Sequence, residues 1–207
     1  MRLILASGSP RRAQILRDAG MRFDVMRTNV TERRKPGETA RIMTRRLARS
    51  KAQAIVKKLG NQSRQAIVIG ADTIVEANGE LLGKPGSRAQ ARKMLTKLSG
   101  RTHRVITSVA AIRLPDRAEV IETESTRVRF APITPQEIAE YVATGEPLDK
   151  AGAYAVQGIG GRFIKQIDGC YFNVVGLPLA RVYHMLTTLG WRPAPQTRTR
   201  KSARRSP

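Results

Sequence analysis

The sequence predicts a mixed α/β fold, a twisted sheet flanked by helices, on three observations. Short apolar runs alternate with longer stretches of helical period along the body of the chain. The pair Asn78-Gly79 and two long strand-like runs after it put hairpins mid-chain, which argues against a purely parallel, doubly wound sheet. The length of 207 residues, 41% of them hydrophobic and 26% charged, suits one compact unit or two small lobes sharing a cleft.

Residues 3–6 read as a strand, Ser7 to Pro10 as a tight loop, and residues 11–19 as a helix closed by Gly20, with Ser9 as its N-cap. Residues 23–27 suggest a second strand, and 39–59 a long, very basic helix ended by Gly60. The apolar run 66–70 continues through 73–77 to the hairpin turn, and 87–98 is helical with Ser87 as N-cap. Residues 104–113 and 120–130 are two strands, the second alternating as a half-exposed strand does. Thr134 caps a helix over 135–144 that starts on Pro135. Residues 163–167 form a short strand, 171–175 a possible one, and 178–189 the closing helix.

The net charge is +22 and it is uneven. Residues 1–65 hold 17 Lys/Arg against 4 Asp/Glu, whereas residues 192–207 hold six cations and no acid. That last stretch lacks apolar periodicity and predicts a disordered basic tail, leaving 1–191 as the folded domain. A field this positive favours polyanionic partners, nucleotides or nucleic acid among them. A single cysteine, Cys170, excludes an internal disulfide framework, and two histidines leave little for histidine-based metal sites. The absence of a long apolar run predicts a cytoplasmic protein with no membrane partner.

Common nucleotide motifs fail on inspection. In Gly79 to Pro85 three residues separate the glycines where a Walker loop needs four, and Pro85 stands in place of the Ser or Thr. Gly158, Gly160 and Gly161 do not make a dinucleotide fingerprint, because Phe163 takes its last position. No zinc spacing and no G-x-S-x-G elbow occur.

Other residues carry more. The helix start after Ser9 and Pro10 offers free N–H groups, and Arg11 and Arg12 add fork-shaped cations suited to phosphate. Asp72 follows the apolar run AIVIGA, at the strand end where open sheets bind ligands. Glu32 is a salt-bridged structural residue or, together with Asp72, a hard-oxygen site for Mg²⁺ or Mn²⁺. Lys84, between Gly83 and Pro85, is held towards whatever Asp72 faces, while Lys51 taken alone reads as a solvated lysine. His103 and Cys170 read as structural.

Taken together, the blocks LILASGSPRRAQIL, LARSKA, VIGADTIV with GELLGKP, MLTKLSGRTHRVITSVA and EPLDKAGAYAVQGIGGRFIKQIDG with VVGLPL resemble the Maf-like nucleoside triphosphate pyrophosphatases from Leu3 to about Leu189. DKAGAYAVQG looks like the dTTP/UTP subgroup more than the subgroup acting on 7-methyl-GTP. The resemblance implies two lobes around a deep nucleotide cleft, and hydrolysis of a nucleoside triphosphate to monophosphate and pyrophosphate with a divalent cation (Mg²⁺, Mn²⁺ or Co²⁺). It implies a house-cleaning role against non-canonical nucleotides, and a homodimer. It assigns Asp72 as catalytic base, Ser7, Arg12, Lys51 and Lys84 to the triphosphate, Glu32 to the metal, and Arg11, Thr73 and Gln157 to base choice. Asp72 as a metal ligand remains the competing role. Members commonly carry a second acid before the position of Glu32; here it is Thr31. A different class of function is a nucleic-acid-binding protein using the basic tail, against which stand only 4% aromatic residues for base stacking.

Overall fold

In the computed structural model, which describes residues 1–60 and 65–193, the architecture turns on one long strand, β3 (Ala66–Ala77). Its first half pairs in parallel with β1 (Arg2–Ala6), from Arg2 opposite Ala66 to Ala6 opposite Gly70. Its last residues pair antiparallel with β4 (Glu80–Leu82), from Val75 opposite Leu82 to Ala77 opposite Glu80. Between those two partners, residues 71–74 are bonded across the sheet to β5 (Thr102–Leu114) alone. A strand that loses one neighbour before gaining the next leaves a crevice at that edge, the kind of topological break where α/β sheets bind ligands.

The remaining strands are β2 (Asp24–Val25), β6 (Glu119–Phe130) and β7 (Ile164–Asp168), giving the order β2-β1-β3-β5-β6-β7 with β4 on β3. The sheet is mixed: β1 is parallel to both its neighbours, and β3, β5, β6 and β7 pair antiparallel in succession. The hairpin turn after β3 has positive φ at both Asn78 and Gly79, as the sequence pair requires.

Side-chain alternation splits the core. Leu3, Leu5, Ile67 and Ile69 face α1 (Pro10–Asp18) and α6 (Leu179–Thr188). Ile4, Ala66 and Val68 face α2 (Ala40–Leu59) through Ala48, Ala52 and Ile55. Both faces of β1 are buried, which explains its uninterrupted apolar run. Beyond the crevice, Val75, Val105 and Phe130 pack on α3 (Arg88–Leu98) and α4 (Pro135–Ala143) as a separate core. The two lobes are therefore two packed ends of one sheet. The predicted caps Ser87 and Thr134, and Thr39 before α2, each accept from the first helical turn, Thr134 in a full capping box.

Four expectations need correction. Residues 171–175 are a short helix, α5 (Tyr171–Val175), despite their strand-like composition. Asn173 decides it: fully buried, it donates to Val105 O and Thr126 Oγ1, bonds a strand register would not allow. The strand expected over 23–27 shrinks to Asp24–Val25, exposed at the sheet edge. Ser9 occupies the N-cap of α1 without a side-chain capping bond; its N–H instead donates to Ser7 Oγ at 3.1 Å. Residues 146–163, for which the pattern predicts no element, make three 3₁₀ turns, Glu146–Asp149, Ala151–Ala153 and Ile159–Phe163. The tail predicted over 192–207 lies, apart from its first two residues, outside the described residues.

Candidate functional site

The crevice beside residues 71–74 opens into a cavity of about 350 Å³. Asp72 and Thr73 form its wall on β3, and Ser7 reaches it from the loop after β1, whose last residue, Ala6, lies opposite Gly70. Gly70 is the reason α2 lies so close: a Cβ there would stand 2.2 Å from Ala48 O and 2.7 Å from Ala52 N. That approach drives Lys51, on the same turn of α2, down onto the sheet. Its ammonium donates to Asp72 Oδ1 and to Glu32 Oε1, both at 2.6 Å, with the Lys51 side chain 8% exposed and Asp72's 7%. Lys51 is thus a buried ionic centre, in contrast to the solvated lysine its sequence context suggests.

Burial raises the Asp72 carboxyl above the usual aspartate range and outweighs the pull of Lys51 and Arg12. Glu32, half in solvent, is held below its ordinary value, because the Lys51 bond and charge exceed its desolvation. The two carboxylates therefore have opposite tendencies within one ionic cluster.

Arg12 is also held inside. Its Nε donates to Gly176 O at 2.8 Å, one terminal nitrogen to Ala71 O at 2.9 Å and Ser7 Oγ at 3.4 Å, and the other to Thr73 Oγ1 at 3.0 Å. Thr73 continues the chain to Thr107 Oγ1 at 2.9 Å, and Thr107 to Asn173 O. One guanidinium thus ties the Ser7 loop, β3 and the end of α5 into a fixed wall. Arg11 points across the cavity to Asp149, 3.4 Å away in the first 3₁₀ turn. Lys84 and Gln157 line the same cavity, so it brings together all nine residues singled out in the sequence.

It also gathers residues that sequence reasoning missed: Thr28, Asp149, Lys150 and Tyr154. The last three lie inside DKAGAYAVQG, a block in which only Gln157 was singled out among the polar members. Lys150 donates to Glu146 O at 2.8 Å and pairs with Asp149. Tyr154 Oη bonds His103 Nε2 at 2.9 Å, and His103, stripped of water, is pulled down to about 4 and stays neutral. Glu146 accepts from Tyr141 Oη at 2.8 Å and from the N–H groups of Ile159 and Gly160 at 3.0 Å, which fixes the chain just beyond Gln157.

Five cations (Arg11, Arg12, Lys51, Lys84, Lys150) face three carboxylates (Glu32, Asp72, Asp149), an excess that suits an anionic ligand. The first N–H groups of α1 add to it, since Pro10 starts the helix and the turn faces the cavity. Val75, Val105, Tyr154 and Ala155 add an apolar part to the lining, suited to a flat ring. Among the described residues no cluster of three or more His, Cys, Asp or Glu exists. Glu32 and Asp72 nevertheless converge on one point, and each uses only one oxygen for Lys51. Two carboxylates completed by a ligand's phosphates and by water fit a Mg²⁺-type ion, which seldom has an all-protein cage.

Such a cleft defines a mixed α/β protein built to hold a phosphorylated ligand against a carboxylate centre. The chain belongs to the Maf-like protein family, whose model matches residues 2–189. It is 50% identical over 190 residues to a dTTP/UTP pyrophosphatase of Koribacter versatilis (strain Ellin345), covering 92% of this chain and 95% of the relative. Relatives of the same name from Anaeromyxobacter sp. (strain Fw109-5) and Symbiobacterium thermophilum are each 48% identical, covering 91% of this chain and 90% and 94% of theirs. Among solved structures, the Staphylococcus aureus Ham1 protein superposes with a TM-score of 0.49 at 17% identity, covering 91% of this chain and 100% of that one.

Proposed function

We propose that the protein hydrolyses dTTP and UTP to the monophosphate and pyrophosphate, with Asp72 as the base. The observation that carries this is the ionic cluster of buried Asp72 and Lys51 with half-exposed Glu32, set in a cleft whose lining joins further cations to apolar side chains. The names of the relatives supply the substrate.

In this reading the triphosphate lies along Lys84 and the start of α1, and the base enters the part of the cleft lined by Arg11 and Tyr154. Lys84 stabilises charge as it develops on the leaving pyrophosphate. Arg12 acts through its neighbours: with its donors committed to Gly176, Ala71, Ser7 and Thr73, it sets the wall against which the base rests. Asp72 Oδ2, free of the Lys51 bond, accepts the proton of the attacking water, a role its raised affinity for protons suits. A divalent ion held by Glu32 and Asp72 would supply Lewis-acid stabilisation of the phosphates.

Arg11, Thr73 and Gln157 read the base. Gln157 offers a donor and an acceptor, matching the O4 and N3–H of uracil and thymine. The test is pyrophosphate release from dTTP, UTP, CTP, GTP and 7-methyl-GTP. Preference for the two imide pyrimidines supports the reading, and preference for 7-methyl-GTP overturns the assignment of these three residues.

A further inference from the structure

We infer that the Lys51 ammonium is the resident cation of the Glu32–Asp72 pair, and that a divalent ion replaces it there and releases it onto the nucleotide's phosphates. The inference rests on the reading that these two carboxylates hold the metal. Nζ stands 2.6 Å from one oxygen of each. A Mg²⁺-sized ion taken by the same two oxygens would lie about 2.0–2.1 Å from each, inside the volume of the ammonium. The two cations exclude each other from that point.

Burial makes the exchange costly unless it is compensated. Lys51 and Asp72 are almost wholly withdrawn from water, so the carboxylates cannot be left bare and the ammonium cannot be left unpaired. The cavity supplies that compensation. Lys51 lines the cavity whose other cations await an anion, and its flexible four-carbon stem lets Nζ turn while Ala48 and Ala52 hold the helix backbone on the sheet. With Lys51 in place the three groups sum to one negative charge. With a divalent ion between the carboxylates that pair is neutral, and the freed ammonium offsets a phosphate oxygen.

The consequence is coupling between metal and nucleotide. Without nucleotide, the metal must displace Lys51 to nowhere, so affinity is low. With nucleotide, the phosphates both receive the ammonium and complete the coordination. Linkage makes the effect reciprocal, each ligand tightening the other. The competing arrangement leaves Lys51 unmoved and puts the metal on Glu32 Oε2 and Asp72 Oδ2.

Free-Mn²⁺ titration by EPR on nucleotide-free protein separates the two. Lys51→Met is expected to bind Mn²⁺ at least about tenfold more tightly than wild type, whereas Lys84→Met, which removes a nearby charge without vacating the point, stays within about threefold. Mn²⁺ is also expected to raise the melting temperature of Lys51→Met more than that of wild type, which reads the same exchange if the variant is weakly folded without metal. Equal tightening in both lysine variants, or a Lys51→Met that Mn²⁺ neither binds more tightly nor stabilises, overturns the exchange. No saturable Mn²⁺ binding to any of the three proteins, even with α,β-methylene-dUTP present, overturns the metal reading itself.

Discussion

At the scale of single residues, the proposed chemistry puts the base on a carboxylate that burial makes reluctant to ionise. Burial holds Asp72 above the usual aspartate value of 3.8. As the base it must be deprotonated, so kcat/KM is expected to fall with decreasing pH through a midpoint above 3.8, and a pH profile measures it. A limb at or below the ordinary value would contradict the role. Asp72→Asn keeps the shape and removes the base; turnover is expected to drop about 10²–10⁴-fold with the circular dichroism spectrum unchanged. Much of this site was legible in the sequence, because Asp72 follows an apolar run, although that strand continues to Ala77, and Arg11 and Arg12 open a helix. The ionic bond of Lys51 was not, since its burial comes from a glycine on another element. Nor was the internal commitment of Arg12, two of whose four acceptors are backbone carbonyls that no side-chain pattern records.

Among elements, the pairing of α2 with β3 does the positioning. Gly70→Ala would set a methyl against the Ala48 carbonyl, costing about 1–3 kcal/mol in overpacking and lifting Lys51 from the carboxylates. A lower melting temperature together with lower kcat is expected; loss of stability with full turnover would show that the close approach does not set the site. The start of α2 is pinned by Glu38, which the Arg46 hydrogen bond lowers to about 2 against its own desolvation. A lowered carboxyl stabilises the fold fully above its unfolded value of 4.5 and loses that effect as pH falls towards about 2. The melting-temperature gap between wild type and Glu38→Gln should therefore narrow over that range. Strands β1, β3, β5 and β6 and the five longer helices stood in the sequence to within a few residues, because their periodicity and caps are local. Helix α5 and the 3₁₀ turns did not, because buried Asn173 and Glu146 hold them through bonds to distant backbone and side chains.

For the whole molecule, one sheet carries two cores and the crevice between them, and Arg11–Asp149 bridges that crevice. Among the described residues no helix is long and apolar enough to cross a membrane. The net charge of +22 exceeds what a triphosphate cleft needs. We expect the six cations after Trp191 to give weak binding to nucleic acid. Deleting residues 192–207 should lower both that affinity and its salt slope while leaving nucleotide turnover intact; an unchanged slope would remove the tail from the account. The most direct test of the central claim is product analysis of dTTP and UTP turnover with a divalent cation, wild type beside Asp72→Asn. One pyrophosphate per monophosphate from wild type, and almost none from the variant, is the predicted result. Release of single phosphates, or a variant as active as wild type, would contradict it.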